Sequence, residues 1–213
     1  NNNLSVTIME AHKVTADNSY TVSSLTIKPT GQLTINSEKT LTVLGDLTIE
    51  SSATGTGTLV DNGTLTVSGT SSVQQYLASQ RNWYMSSPVA AAARPNSTDY
   101  TNVESYNETT NAWVETSGAL EVGRGYVVYP ATTGEKTITF TGTLNTGNKT
   151  IGLTRTAANT TYQGFNLVGN PYPSFLDAAQ LVSVNSANID QTVWYRTANW
   201  STDKYVYEFQ TYN

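Results

Sequence analysis

A chain of 213 residues is long enough to bury one or two sizeable cores, and an aromatic content of 10% with many β-branched residues excludes disorder. Charged residues make up only 13%, about half the usual share, and the net charge of −5 comes without any basic run, which argues against nucleic acid or an anionic membrane as partner. Cysteine is absent, so disulfides and thiolate metal sites are excluded, and no apolar stretch reaches the roughly 18 residues of a membrane span.

The chain opens Asn1-Asn2-Asn3 without Met or an apolar leader, which reads as a mature or trimmed product. A short phrase then recurs at Leu25-Thr26-Ile27, Leu33-Thr34-Ile35, Leu41-Thr42-Val43, Leu47-Thr48-Ile49 and Leu65-Thr66-Val67. Each copy alternates apolar, polar, apolar, so both large side chains face one way and the threonine the other. Successive leucines lie 8, 8, 6 and 18 residues apart. Hairpins need spacings of about 8 to 12 throughout, whereas the first three steps span 22 residues, one coil of a parallel β-solenoid. Leu25 then stacks on Leu47, and Leu41 near Leu65 after a coil lengthened by the insertion Ser51 to Gly57. Pro29-Thr30-Gly31, Leu44-Gly45-Asp46 and Asp61-Asn62-Gly63 supply turns in which Gly or Asn accepts positive φ. The alternative is an antiparallel meander with a hairpin closed at Asp61-Asn62-Gly63-Thr64.

Beyond about Gln75 the phrase stops and aromatics arrive, including all four tryptophans. The expected organisation is therefore a short β-solenoid of two to three coils over residues 1–75, then an aromatic-rich antiparallel β-sandwich or jelly-roll-like domain over 76–213. Its candidate strands are Arg81 to Ser86, Val103 to Tyr106, Ala112 to Glu115, Gly125 to Tyr129, Lys136 to Phe140, Lys149 to Leu153, Gly164 to Val168, Thr192 to Arg196 and Tyr205 to Phe209. One short helix is expected at Phe175 to Val182, with Ser174 as N-cap and Asp177 in the first turn. The last strand either pairs upstream or marks a fragment, in which case its edge offers a strand-pairing site.

The order of the Leu-Thr-Ile/Val solenoid, Val73-Gln74-Gln75-Tyr76, Trp83-Tyr84-Met85-Ser86-Ser87-Pro88-Val89, Gly123-Arg124-Gly125-Tyr126, Phe140 to Gly147 and Gly164 to Ser174, which contains Gly169-Asn170-Pro171-Tyr172-Pro173-Ser174, resembles a group of secreted Bacteroidota surface proteins. Those proteins are largely uncharacterised, and many end in a type IX secretion sorting domain. The resemblance implies an extracellular or outer-cell-surface location. It brings no catalytic residues with it.

His12, the one histidine, excludes a two-histidine metal site and reads as a surface residue. Glu104, Glu108, Glu115 and Glu121 are the best-placed carboxylates for a glycosidase pair, with a solvated strand face as the simpler explanation. No cofactor is expected; a structural calcium ion held through Asp99, Glu104 or Asp61 with backbone carbonyls is the alternative, although the Asp-x-Asp-x-Asp-Gly loop is absent. Gly123-Arg124-Gly125 reads as a tight turn, and Gly169 to Pro173 as a corner fixed by two prolines. Trp113, Tyr172, Trp194 and Trp200 are the candidate glycan-binding aromatics, since sugar C–H faces stack on flat rings. Core packing is the default for three of the four, and Trp200, placed in a polar loop, is the one expected to be exposed. The expected function is a non-catalytic extracellular or cell-surface module with a structural or adhesive role, not an enzyme, whose partner is a glycan or another surface protein. A carbohydrate-binding module is the alternative, and a polysaccharide-acting enzyme with a carboxylate pair the weaker one.

Overall fold

The computed structural model describes residues 4–158 and 160–212. The chain is almost entirely β, a parallel solenoid of about three turns followed by antiparallel sheets. Its first coil is β1 (Ser5–Ile8), β2 (Lys13–Ala16) and β3 (Tyr20–Val22), and its second β4 (Ser24–Ile27), β5 (Gln32–Ile35) and β6 (Thr40–Val43). The third coil contains β7 (Leu47–Ile49), a small antiparallel pair β8 (Ser51–Ser52) and β9 (Gly55–Thr56), then β10 (Thr58–Asp61) and β11 (Thr64–Val67).

All stacked pairs are parallel: Leu25 lies beside Val6 and Leu47, Leu33 beside Val14 and Leu59, and Leu41 beside Tyr20 and Leu65. Leu59 and Leu65 therefore pair with the coil below and not with each other, which rules out the meander. The leucine and the Ile or Val of each central phrase point inward; Ile27, Ile35, Val43, Leu47 and Ile49 are fully buried. Burial of each such side chain stabilises the stack by roughly 1.5–3 kcal/mol. The insertion from Ser51 folds out as β8 and β9, so it lengthens the coil without breaking its register.

The turn glycines serve a different purpose from the one expected. Positive φ falls on Thr30 (63°) and Glu38 (63°), not on Gly31, Gly45 or Gly63. What Gly63 needs is space: a Cβ there would sit 2.3 Å from the carbonyl oxygen of Lys39 and 2.5 Å from that of Asn36, both in the coil beneath.

Strand β12 (Ser71–Leu77) joins the two kinds of sheet. Its first residues continue the solenoid beside β7, with Ser71 opposite Leu47, while its whole length from Ser72 pairs antiparallel with β17 (Lys136–Thr141). Next come β13 (Trp83–Met85), β14 (Tyr100–Asn107), β15 (Ala112–Glu115) and β16 (Tyr126–Pro130), which form a four-stranded antiparallel sheet in the order β13-β16-β14-β15. Buried residues from Ile8 to Leu144 make one continuous cluster, so the solenoid and this sheet share a core. By its contacts the chain divides into residues 1–174 and 175–213, whereas the sequence reading placed the division near 75, inside β12.

Two expected strands, Lys149 to Leu153 and Gly164 to Val168, have no ladder. Side chains take the amide of Gly164 and those just beyond Leu153 instead: Thr154 N–H donates to Asn166 Oδ1 (3.1 Å), and Thr156 and Gly164 N–H donate to Glu108. Val168 forms a single bridge with Arg124.

The second unit holds α1 (Ala178–Val184) and a hairpin of β18 (Val193–Ser201) and β19 (Lys204–Tyr212). The helix starts later than Phe175 because Asp177, not Ser174, is its N-cap, accepting the Gln180 N–H at 3.0 Å. The final strand finds its partner upstream. The hairpin turns on Thr202 (φ 48°) and Asp203 (φ 61°), the pair of positive φ values that a two-residue turn requires.

Candidate binding surfaces

Register determines which side chains share the outer face of the four-stranded sheet. Tyr84 is opposite Val127, Val127 opposite Glu104, and Glu104 opposite Glu115, so these four form one row across the sheet. Tyr106 and Trp113 face each other in the next row on the same side. The opposite side carries Val103 and Val128, both fully buried.

Tyr84 and Trp113 belong to the two edge strands, about 14 Å apart at ordinary strand spacing, yet their ring centroids are 6.2 Å apart with planes inclined by 35°. The rings therefore lean inward over the row between them, and Val127 is only 6% exposed although it points outward. Tyr106 meets Trp113 edge-on at 5.6 Å and donates its hydroxyl proton to Asn111 Oδ1 at 2.6 Å. Trp113 itself stays 42% exposed. Beside it Glu115 pairs with Arg94, whose other terminal nitrogen donates to the Pro95 carbonyl and whose Nε–H is buried without an acceptor. This platform was only partly legible beforehand. Trp113 and the two glutamates stood out in the sequence, but only the register shows that they are neighbours.

Other side chains of β14 and β15, Ser105 and Val114, line a groove of 560 Å³ walled by residues 150–154 and 166–168. Glu108, at its end, is 2% exposed and was expected to be a solvated strand residue. Its Oε1 accepts the Thr156 and Gly164 N–H groups, both at 2.9 Å, and its Oε2 accepts the Thr156 hydroxyl at 2.7 Å. The Gly164 and Thr156 N–H groups, followed by the Thr156 and Thr154 hydroxyls, favour the charged form and hold its pKa down at about 2, against an ordinary 4.5. Such a carboxylate stays ionised and anchors Thr156 and Gly164. The stability it contributes is present above about pH 4.5 and is lost as pH falls towards 2. The protection factors of the Thr156 and Gly164 amides, with rates taken relative to the intrinsic exchange rate at each pH, should therefore fall on acidification through that window, and Glu108→Gln should give low protection that no longer changes with pH there. Unchanged protection in the variant contradicts the anchoring role. Glu121, also lining the groove, is bonded to Arg124 at 3.0 Å.

Tyr172 lies elsewhere. It is half-buried, and its hydroxyl donates to the Gly147 carbonyl at 2.7 Å. The surrounding corner ties the solenoid to the antiparallel part: the Pro173 carbonyl accepts Leu59 N–H at 2.8 Å, and Ser86 Oγ donates to the Asn170 carbonyl at 2.6 Å. The Gly123 to Gly125 turn joins this arrangement, since Gly169 N–H donates to Gly123 O and Gly125 N–H to Leu167 O.

In the second unit, Trp194, Arg196, Ala198 and Trp200 share a face of the hairpin with Phe209, Tyr207 and Tyr205. Trp194 is 52% exposed, Trp200 62% and Phe209 61%. Trp200 packs edge-on against Tyr205 at 4.8 Å, and the Arg196 guanidinium lies 4.3 Å from the Tyr207 ring centre. Trp200 is thus a strand residue and not a loop residue. The polar run around it hides an alternation that becomes visible only against β19. Three of the four candidate aromatics are exposed, where core packing was the expected default for three.

His12 is exposed in the turn after β1. Asp61 accepts the Gly63 N–H, Asp99 accepts the Asn96 side chain, and Glu104 belongs to the sheet. Among the described residues, no three acidic or histidine side chains are grouped to hold a metal ion, and no helix is long and apolar enough to cross a membrane.

The model of a family described as Domain of unknown function (DUF8693) matches residues 1–213. The chain belongs to that family. No curated protein and no solved structure matches the DUF8693 chain.

Proposed function

We propose that this DUF8693 chain is a non-catalytic extracellular or cell-surface module with an adhesive role, in which the solenoid is a short rigid pedestal and aromatic side chains on β-strands hold the partner. The observation that carries this reading is the hairpin face on which Trp194, Trp200 and Phe209 are each more than half exposed. Exposed large aromatics gathered on one strand face mark interaction sites. Strands also hold rings in place better than a loop does, which lowers the ordering cost of binding.

Three of the four carboxylates best placed in the sequence are already engaged, which favours a holding role over a cutting one. Acid–base hydrolysis uses two carboxyl groups whose pKa values are pushed apart, one of them upward. Glu108 is pushed down and fully engaged, while Glu115 and Glu121 are each bound to an arginine. Low charge and a surface rich in Thr, Ser and Asn suit an extracellular location, as does the resemblance to secreted Bacteroidota proteins.

Retention of chain-coated microspheres on polysaccharide films and on protein films, under flow, tests the reading. Wild-type coating should hold on at least one film, and the combined Trp194→Ala, Trp200→Ala and Phe209→Ala variant should lose about tenfold in retention. Failure of the wild type on every film overturns the reading.

A further inference from the structure

We infer that the outer face of the sheet formed by β13, β16, β14 and β15 is a second binding site, that its ligand is a neutral polysaccharide, and that Trp113 is its stacking platform with Glu104 and Glu115 as hydroxyl partners. This goes beyond the adhesive reading by naming a ligand class and a place separate from the hairpin.

Three observations carry it. First, Trp113 is braced on the sheet side. Tyr84 is inclined to it by 35°, Tyr106 meets it edge-on, and Val127 is covered beneath the aromatic cluster, while 42% of the tryptophan remains open to solvent. A large ring braced in this way presents an apolar surface to the C–H face of a pyranose and loses little freedom on binding. Second, Glu104 and Glu115 are directly opposed across β14 and β15, and Arg94 is bonded to Glu115. Two acceptors beside an apolar plate, one of them held in place by Arg94, match a ring of hydroxyls, which donate and accept from the same atoms. Third, two carboxylates against one guanidinium leave the face net negative, which selects against uronic-acid polymers and sulfated glycans. The same charges disfavour a protein partner, since charged residues are depleted from the buried centre of protein interfaces.

The test is affinity electrophoresis of the full chain in gels containing soluble xylan, galactomannan, mixed-linkage glucan or, as the acidic comparison, alginate. At least one neutral polymer should retard the wild type and alginate should not. Trp113→Ala should lower the association constant tenfold or more, Trp113→Tyr should keep most of the binding because a flat ring remains, and Glu115→Gln should weaken it severalfold. Near-ultraviolet circular dichroism and an unchanged denaturation midpoint establish that each variant is folded. Wild-type retardation that survives Trp113→Ala, or that disappears only in the hairpin variant, overturns this site and leaves the adhesive reading standing. Retardation by alginate alone, or by none of the polymers, overturns it as well, and microsphere retention then reads the adhesive role separately.

Discussion

Leu47→Ala should lower the unfolding free energy by about 3 kcal/mol and do so in a single transition reported equally by probes in the solenoid and in the antiparallel sheet. Leu47 is fully buried, stacked between Leu25 in the coil below and Ser71 at the start of β12. Truncation removes the transfer free energy of three carbons and leaves a cavity that stacked coils cannot collapse to fill. Buried Leu→Ala changes cost about 2–5 kcal/mol for these reasons. The second half of the expectation follows from the shared core. Val73 and Leu77 of β12 and Phe140 of β17 belong to the same cluster as Leu47, so a weakened third coil pulls on both parts at once. Trp83 packs against that cluster and Trp113 lies in the same four-stranded sheet, so tryptophan emission, measured with Trp194 and Trp200 of the second unit replaced by phenylalanine, reports on the antiparallel part, with far-ultraviolet circular dichroism following the whole. Two separated transitions would mean that the solenoid is an independent domain.

Gly63→Ala should be nearly as damaging although it adds one methyl group at a turn. The new Cβ would meet two backbone oxygens, at 2.3 and 2.5 Å, and backbone cannot rotate aside as a side chain does. Relief requires the third coil to lift from the second at this corner. That movement strains the Asn62 N–H to Ile35 O bond (3.1 Å) and the Thr64 N–H to Lys39 O bond (2.9 Å), together with the Leu59–Leu33 and Leu65–Leu41 stacks on either side. Forced overpacking of this kind costs about 1–3 kcal/mol, read as a lower denaturant midpoint with an unchanged slope. Thr30→Gly makes the informative contrast. There the backbone already has φ of 63°, so glycine relieves strain, which offsets part of the loss of the bond in which Thr30 Oγ1 accepts the Ala11 N–H at 2.9 Å, and the net cost should stay below that of Gly63→Ala.

How much was legible in the sequence depended on whether a residue's environment repeats. The solenoid was, because each inward pair meets a copy of itself one coil away and the period counts the residues between them; Leu25 on Leu47 and Leu41 on Leu65 followed from spacing alone. The first coil was less so, since Val6, Val14 and Tyr20 occupy the leucine positions without the phrase. Ala112–Glu115 could be read as a strand because alternation is local, whereas Lys149 to Leu153 alternates just as well and has no ladder. Its neighbouring amides are claimed by Asn166 and Glu108, and nothing in a linear pattern announces a carboxylate 48 residues away from the Thr156 it holds. The same limit applies to the binding surfaces. Trp113, Trp194 and Trp200 were visible as candidates, but exposure depends on which face of the sheet is packed. The association of Trp113 with Glu104 and Glu115 depends on register set by the turn at Asn107 to Asn111. Tyr172 belonged to the same set of candidates and proves to be tied by its hydroxyl to Gly147 in a structural corner.

The account is tested most directly by light-scattering chromatography of a neutral polysaccharide of defined length after prolonged incubation with the chain. A module that holds its ligand without cleaving it predicts a complex heavier than either component, from which the polymer is recovered at its original length. Recovery of shortened polymer would contradict the account.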